Sequence, residues 1–537
     1  MFSTYRERAA RQVRHWSLEQ KVGQLFILAF PGKQAEVVRT LIERYRLGGC
    51  YLSQDNAATF AEARQLTGEL DRINQATGDA VPLLLGVDQE GAWSVLMPES
   101  TTGPGNLALG HADDVSLTAS MYQVFADEMR SAGFNCVLGP CADVNLRSDS
   151  PIIDARAFGS DPALVARHVA AAVAGVRQGG LVACAKHFPG HGDTAVDSHR
   201  EIPVVDKPLA TLLEQDLLPF QSAIDAGVEL IMTSHIRYPQ LDAQHPATLS
   251  APVLRGLLRE RLGFNGIVIS DSMNMGAIRR NYSPVDAAVL AFQSGIDMMM
   301  LSEEHYDHQP DYLERQLAMI DGLVAAVRDG RWSEAELDAT LLRVVSFKLA
   351  RLSGIAHYLP LAMREHQALA QRAAQAAVAV LTDPAGNLPV SAEREVFLIQ
   401  TAPQEAYHGL MNARGIGPNQ HVAAFDVLAD SWFGAHKQLH AHSLTYEVAV
   451  DWLRSIRVQP HMLAVAVLEN YPLPGEDFPQ APAQALLFQL AEVFGQQLLV
   501  ISLSNGQMRL PAGVSHLCAY GSRPCSARAA VRTALGL

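Results

Sequence analysis

Residues 181–199, LVACAKHFPGHGDTAVDSH, decide how this chain folds, because five apolar residues run directly into a dense polar stretch. That stretch packs one Lys, three His and two Asp into fourteen residues. Pro189, Gly190 and Gly192 disfavour a helix, so the segment is predicted to be a buried strand that ends in a loop. Polar groups at this density have no use in a core, and they indicate a place where something is bound or transformed.

On either side of this strand, from about residue 18, short apolar runs alternate with longer amphipathic stretches, as in βα units around a parallel sheet. The predicted helices between the strands include 163–178, 209–226 and 251–262. Eight strands over roughly 340 residues fit a (β/α)8 barrel of the TIM type, and they also fit an open doubly wound sheet. The predicted strands are 24–30, 48–52, 82–88, 134–140, 181–187, 230–235, 266–271 and 295–301.

Five of these strands end in ionisable residues, and this regularity favours the barrel. In a (β/α)8 barrel the loops that follow the strands converge on one face, where such proteins carry their chemistry. Packing alone does not explain apolar runs that end repeatedly in charged groups, so this face is predicted to hold the site. The strand-end residues are Asp88, Gln89 and Glu90, then Cys141, Ala142 and Asp143, then Lys186 and His187, and finally His235 and Asp271.

A domain boundary is predicted near residue 360, after helices at 314–327 and 333–352. A chain of 537 residues is too long for one ordinary core, so two domains are expected. We predict the (β/α)8 barrel at 1–360 and a smaller α/β domain at 361–537.

The second domain is predicted to begin with an Ala-rich helix at 365–378. Its loops at 469–471 and 504–506 are candidates to reach a cleft shared with the barrel, a question that the sequence leaves open. Its strands are predicted near 395–399, 462–468, 497–503 and 516–520.

The composition excludes several classes of function. The residues are 48% apolar and 18% charged, a globular balance that rules out disorder. Forty-two Lys and Arg against 56 Asp and Glu give a net charge of −14, which disfavours nucleic acid and anionic membranes as partners. No stretch approaches the roughly 18 apolar residues of a membrane span, and the N-terminus lacks the apolar part of a secretory signal. The six scattered Cys form no CxxC motif and predict buried thiols in the cytoplasm.

Five blocks of sequence carry a resemblance to a known family. The longest is the pattern KHFPGHGDT-x-x-DSH, which is complete from 186 to 199, and the others lie at 87–91, 154–159, 232–236 and 269–275. In this order they resemble glycoside hydrolase family 3, and the long loop resembles its β-N-acetylglucosaminidase branch. The resemblance implies a (β/α)8 TIM-type barrel followed by a smaller α/β sandwich-type domain, whose end is similar to the segment from 519 onward.

The resemblance implies a retaining exo-glycosidase that releases terminal β-linked N-acetylglucosamine from a small carbohydrate, without a metal or other cofactor. The resemblance to cytoplasmic family members implies a cell-wall fragment as the natural substrate. Asp271 takes the family position of the nucleophile, which forms a covalent glycosyl intermediate. His199 takes the position of the acid/base, and Asp197 that of the partner that orients it. The resemblance places Asp88, Arg156, Lys186 and His187 in the sugar site. His235 is predicted to line the site as well, or else to orient a neighbouring residue.

One position departs from the family pattern. Five residues beyond Gly91 the family has an Arg that organises the sugar site, and Leu96 stands there instead. Loss of a charged partner in a buried sugar site costs about 1 to 3 kcal/mol. The departure leaves open a family 3 β-glycosidase or a phosphorylase with another sugar preference, in which Trp93 and its neighbours form a different subsite.

Further interpretations remain open at this point. A catalytically dead sugar-binding module would bind sugar without turnover, and Arg156 could form a structural ion pair with Asp154 or Asp161 instead of binding sugar. A metal-dependent barrel hydrolase is disfavoured, because the predicted strand 24–30 ends without a His pair and the chain has no HExxH motif. Its ligands would be His187, His191, Asp193, Asp197 and His199.

Overall fold

The computed structural model contains a barrel and a second sheet, with the helix Met363–Ala377 between them in the chain. The residues that the structure describes are 3–78, 81–91, 96–147, 150, 152–196, 198, 201–302, 311–410, 419–435, 440–471 and 478–537.

Eight parallel strands form the barrel. They are β1 (Phe26–Leu28), β2 (Gly49–Tyr51), β3 (Leu84–Val87), β4 (Cys136–Val137), β5 (Val182–Phe188), β6 (Leu230–Thr233), β7 (Ile267–Ile269) and β8 (Met299–Leu301). Consecutive strands pair from β1 to β7, β1 also pairs with β8, and a parallel bridge from Ile269 to Met298 brings β7 against β8. Their residues are buried on both faces, which is why the sequence shows continuous apolar runs. The predicted barrel is confirmed.

Helices between the strands cover the barrel. Pro162–Gln178 shows why they form: the side chain of Asp161 accepts from the N–H of Ala163 at 3.1 Å, and a Pro occupies the first turn. Val169 and Val173, one turn apart, face the core.

The helices of this part of the chain are Ser3–Val13, Leu18–Gly23, Arg39–Tyr45, Phe60–Gln75, Asn106–Ala112, Val115–Ser131, Pro162–Gln178, Leu209–Glu214, Leu218–Asp225, the π-helical Pro252–Arg261, Gly276–Arg279, Pro284–Ser294, Tyr312–Arg328 and Glu334–Arg351. No helix in the described ranges is both long enough and apolar enough to cross a membrane.

One predicted helix is wrong, because the structure divides it into two. The sequence predicts a single helix over 209–226, whereas the structure has Leu209–Glu214 and then Leu218–Asp225. Pro219 has no N–H to donate and its ring clashes with the turn before it, so the chain breaks and restarts with Pro219 in the first turn of the second helix.

The second sheet has six strands, and the sequence predicts four of them. They are β9 (Ala379–Thr382), β10 (Glu395–Gln400), β11 (Ala441–Leu444), β12 (Met462–Glu469), β13 (Leu498–Leu503) and β14 (Ser515–Cys518). Their order is β11-β10-β12-β13-β14-β9, and β9 alone runs antiparallel to its neighbour. The missed β9 and β11 are the edge strands, whose partly exposed side chains weaken the apolar pattern.

The helices that follow these strands are Ala424–Ala435, Tyr446–Trp452, Gln480–Phe494 and Pro524–Ala534. The second unit packs directly on the barrel: the ring of Tyr520 stacks on His111 with 3.4 Å between centroids. At Gly521 a Cβ would lie 2.4 Å from Pro104 O, so the close approach of the two backbones requires glycine. A domain boundary at residue 360 stays a prediction.

Candidate functional site

Three charged residues meet at the carboxyl ends of the barrel strands. Lys186, near the end of β5, places its Nζ 2.6 Å from Asp88 Oδ1 and 2.7 Å from Glu90 Oε1. Asp88 directly follows β3, and Glu90 lies two residues further on. Burial alone would lower the pKa of Lys186, but the two carboxylates raise it well above its usual range. Lys186 is therefore an ammonium ion that ties the loop after β3 to β5.

Glu90 is shared with a second cation, Arg156. Nε and Nη2 of Arg156 donate to the two oxygens of Glu90, each at 3.0 Å, in the bidentate geometry that suits guanidinium and carboxylate. Burial would raise the pKa of Glu90, but the charges of Arg156 and Lys186 outweigh it and lower the pKa to about 2. Glu90 is therefore ionised at neutral pH and holds two cations in fixed positions.

Asp143, which follows β4, orients the imidazole of His187. Its Oδ2 lies 2.7 Å from His187 Nδ1, and its Oδ1 accepts from the backbone N–H groups of His187 and His191 at 3.2 and 2.6 Å. Arg156 Nη2 lies 3.4 Å from His187 Nε2, and a guanidinium only donates, so Nε2 accepts and Nδ1–H donates to Asp143. Burial would raise the pKa of Asp143, but His187 and His191 hold it well below its usual range.

The described part of the chain has one group of possible metal ligands, Cys141, Asp143 and His187. Cys141 Sγ donates to Asp143 Oδ2 at 3.2 Å, and the same oxygen receives the bond from His187. Burial raises the pKa of the Cys141 thiol well above its usual range, which keeps it a neutral donor. The three residues fit a hydrogen-bonded cluster better than a metal site, and a metal-free site stays a prediction.

Asp88 is the most accessible member of the network. Its side chain is 16% exposed, against 3% for Lys186 and 1% for Glu90. Tyr51 Oη donates to Asp88 Oδ2 at 3.0 Å, while Lys186 bonds the other oxygen. A carboxylate accepts about four hydrogen bonds, so Asp88 retains acceptor capacity for the hydroxyl groups of a polar ligand.

Asp271 follows β7 at the same end of the barrel. Its Oδ1 accepts from the N–H of Ser272 at 2.7 Å. Because β3, β5 and β7 are parallel strands of one barrel, Asp271 lies at the same end of the barrel as Asp88 and Lys186.

His235 contacts the loop that carries Asp271. The residue is fully buried, its Nε2 donates to Ser272 O at 2.8 Å, and its Nδ1 lies 2.8 Å from Thr248 Oγ1. These contacts allow His235 to support the loop that carries Asp271, and a sugar-lining role for His235 stays a prediction.

The loop after β5 is anchored at Ser198. Its Oγ lies 2.9 Å from His191 Nε2, and its carbonyl accepts from the N–H of Ala277 at 3.3 Å. Gly192 lets this loop pass close to the backbone of the segment that follows β4, because a Cβ at residue 192 would lie 1.6 Å from Val144 O.

The predicted acid/base His199, its partner Asp197, and Trp93 lie outside the described residues, so their roles stay predictions. Leu96 is 2% exposed and packs in the core of the barrel, so an apolar core side chain occupies the position of the family Arg.

Sequence reasoning missed the roles of three residues. Glu90 and Asp143 belong to the strand-end pattern, but no pattern indicates that one holds two cations and the other orients an imidazole. Tyr51 gives no signal, because an aromatic residue in a strand is typical of a core.

A (β/α)8 barrel with interlocked carboxylates and cations at its strand ends has the architecture of a barrel enzyme with its site at that face. Residues 17–347 match the model of the Glycosyl hydrolase family 3 N terminal domain. The chain belongs to glycosyl hydrolase family 3, as its motifs imply.

Relatives and a solved structure agree with this membership. Beta-hexosaminidase A of Pseudoalteromonas piscicida is 31% identical over 326 residues, which are 57% of this chain and 54% of that protein, so the match spans about half of that relative. A Beta-N-acetylglucosaminidase/beta-glucosidase of Cellulomonas fimi is 30% identical over 434 residues, 77% of this chain and 72% of that protein. The structure of a glycoside hydrolase family 3 beta-N-acetylglucosaminidase from Paenibacillus sp. str. FPU-7 has a TM-score of 0.83 and 30% identity, covering 97% of both chains.

The pairing of Glu90 with two buried cations predicts that its charge stabilises the fold. Glu90→Gln keeps the side-chain volume but leaves two buried cations with less charge compensation, so we expect the free energy of unfolding in urea at pH 7 to fall by about 3 to 5 kcal/mol. A carboxyl with a lowered folded pKa stabilises the protein above its unfolded pKa, 4.5, and this contribution is lost as the pH falls toward about 2. The gap between the wild type and the variant should therefore shrink from pH 5 to pH 3.

The matched control is Asp451→Asn. Asp451 pairs with Arg454 at 2.9 Å on the surface, with side chains 77% and 75% exposed, so its loss should cost less than about 1 kcal/mol. Equal losses for the two variants, or a gap that does not change with pH, would contradict the role given to Glu90.

Proposed function

We propose that this protein is a retaining, exo-acting glycoside hydrolase that releases terminal β-linked N-acetylglucosamine. The observation that carries the proposal is the buried network at the barrel mouth, in which Glu90 fixes Lys186 and Arg156 beside the accessible Asp88. The names of the relatives, β-hexosaminidase and β-N-acetylglucosaminidase, support the choice of sugar.

The reaction proceeds in two displacements at the anomeric carbon. In the first, a carboxylate oxygen of Asp271 attacks that carbon, the bond to the leaving oxygen breaks, and protonated His199 gives its proton to the leaving oxygen. Asp197 orients the imidazole during this transfer. In the second, water attacks the same carbon, the bond to Asp271 breaks, and His199 takes a proton from the water. The sugar leaves with the anomeric configuration of the substrate.

The network binds the sugar that Asp271 attacks. Asp88 accepts from sugar hydroxyls with its remaining acceptor sites, and Lys186, Arg156 and His187 complete a polar wall whose members hold each other in place. Because these groups are ordered before the sugar arrives, little side-chain entropy is lost on binding.

We further propose the cytoplasm as the compartment and a cell-wall fragment as the natural substrate. All six cysteines are free and buried, as expected of thiols in a reducing environment. Leu96, in place of an arginine, supports an altered contact with the part of the substrate that this arginine would reach.

The nucleophile can be tested by substitution and by trapping. Asp271→Asn should lower kcat on an aryl β-N-acetylglucosaminide by at least about 10³-fold, because the amide forms no glycosyl ester. A slow 2-deoxy-2-fluoro glycoside should leave one added sugar mass on the peptide that contains Asp271 in the wild type, and none in the variant. Asp451→Asn, on the exposed surface, is the control and should keep full activity. Near-normal turnover by Asp271→Asn, or an adduct on another peptide, would refute the assignment.

Phosphorolysis is the second candidate, because an imidazole acid/base carries no negative charge that would repel phosphate. Aryl β-glycosides that differ only at C2 or C4 should be assayed with and without phosphate. We expect the 2-acetamido sugar to react fastest and to appear as free N-acetylglucosamine in both conditions. A sugar 1-phosphate product would instead identify a phosphorylase, and preference for another sugar would make Leu96 the residue that sets specificity.

A further inference from the structure

The buried carboxylate of Asp154 joins the barrel to the second domain. Asp154 is 5% exposed, and it lies two residues before Arg156 in the turn Asp154–Arg156. Its Oδ2 accepts from Asn470 Nδ2 at 2.9 Å, and its Oδ1 accepts from Asn505 Nδ2 at 2.6 Å. Both oxygens of a barrel carboxylate are thus bonded by side chains of the other domain.

The second domain presents these two amides in a defined orientation. Asn470 directly follows β12 and Asn505 lies two residues after β13, and these neighbouring parallel strands end at the same edge of their sheet. The side-chain oxygen of Asn470 accepts from Gln480 Nε2 at 3.0 Å, and that of Asn505 accepts from the N–H of Gln507 at 3.0 Å. With each oxygen used within its own domain, the NH₂ groups are the ones that face Asp154.

The turn that Asp154 begins is strained and carries a residue of the charge network. Asp154 has a φ of 31°, a conformation that costs a residue other than glycine about 1 to 3 kcal/mol and persists only where the surroundings impose it. Two residues later Arg156 bonds both oxygens of Glu90 and contacts His187. The bonds from Asn470 and Asn505 are therefore placed to hold the backbone from which the Arg156 side chain starts.

We propose that Asp154, Asn470 and Asn505 form an interdomain latch that positions Arg156 in the sugar site. The three are positioning residues, since they act through Arg156 and the turn that carries it. The proposal rests on the function proposed above and deepens it, because the second domain then becomes a working part of the site. If the bonds from Asn470 and Asn505 were lost, the turn would shift and would move Arg156 away from the sugar and from Glu90.

A carboxylate suits this position better than an amide. Two donors approach Asp154 from two loops, and only a carboxylate accepts in both directions. Burial raises the pKa of Asp154, and the amides of Asn505 and Asn470 partly offset that rise by bonding to the ionised form.

The latch can be tested by exchanging donor and acceptor across the interface. Asp154→Asn alone sets two amide NH₂ groups against each other, and Asn505→Asp alone sets two carboxylates against each other. The double variant Asp154→Asn/Asn505→Asp restores one donor and one acceptor at that contact and keeps an oxygen for Asn470. We expect each single variant to lose about 10- to 100-fold in kcat/KM on an aryl β-N-acetylglucosaminide, since small displacements in a site have effects of this size, and the double variant to recover most of it.

Hydrogen exchange of the peptide that covers 152–158 provides a readout that needs no activity. Both single variants should exchange faster in this peptide, and the double variant should return toward the wild type. If the wild type cleaves no such glycoside but exchange follows this pattern, the latch stands and the proposed function fails.

Asn387→Ala is the matched control, because Asn387 is a buried amide whose Nδ2 donates to Gln496 O and Ser515 Oγ, both within the second domain. It should lower the melting temperature without changing kcat/KM or the exchange of 152–158. The latch would be overturned if the single variants behaved like this control, or if the double variant recovered neither activity nor protection.

Discussion

Two buried cations share one buried carboxylate at the mouth of the barrel, and the rest of the site depends on this arrangement. Moving charges out of water costs several kcal/mol per ion, and only close pairing with complete hydrogen bonding offsets that cost. Glu90 meets the condition with a bidentate bond to Arg156 and a second bond to Lys186. The loop after β3, the end of β5 and the turn at 154–156 are thereby fixed relative to each other, so the charged groups at the barrel mouth are ordered in advance of any ligand.

Hydrogen bonds between the two domains also support the charged groups at the barrel mouth. Ligands of α/β sheets bind beyond the carboxyl ends of the strands, and here both sheets direct such ends toward the turn that carries Arg156. The barrel supplies the charged groups and the second sheet supplies two amides that secure their support. In the proposed latch, the charged face of the barrel therefore gains rigidity from the second domain.

Much of the fold follows from the sequence, because strands buried on both faces leave continuous apolar runs and barrel topology gathers their carboxyl ends on one face. The edge strands β9 and β11 escaped prediction because their side chains are partly exposed. The side-chain pairings within the site could not be predicted from the sequence in the same way. An ion pair of Arg156 with Asp154 is a reasonable expectation from two neighbours in sequence, yet Arg156 pairs with Glu90 and Asp154 with amides 316 and 351 residues away. Spacing along the chain carries no record of contacts that form only when the barrel closes and the second domain docks.

The most direct test is a crystal structure of the intact protein with N-acetylglucosamine bound. We expect the sugar at the barrel mouth with its hydroxyl groups within hydrogen-bond distance of Asp88, its anomeric carbon facing Asp271, and Glu90 still paired with Lys186 and Arg156. A sugar bound away from Asp88, or a complex in which either cation has left Glu90, would contradict the central role given to this shared carboxylate.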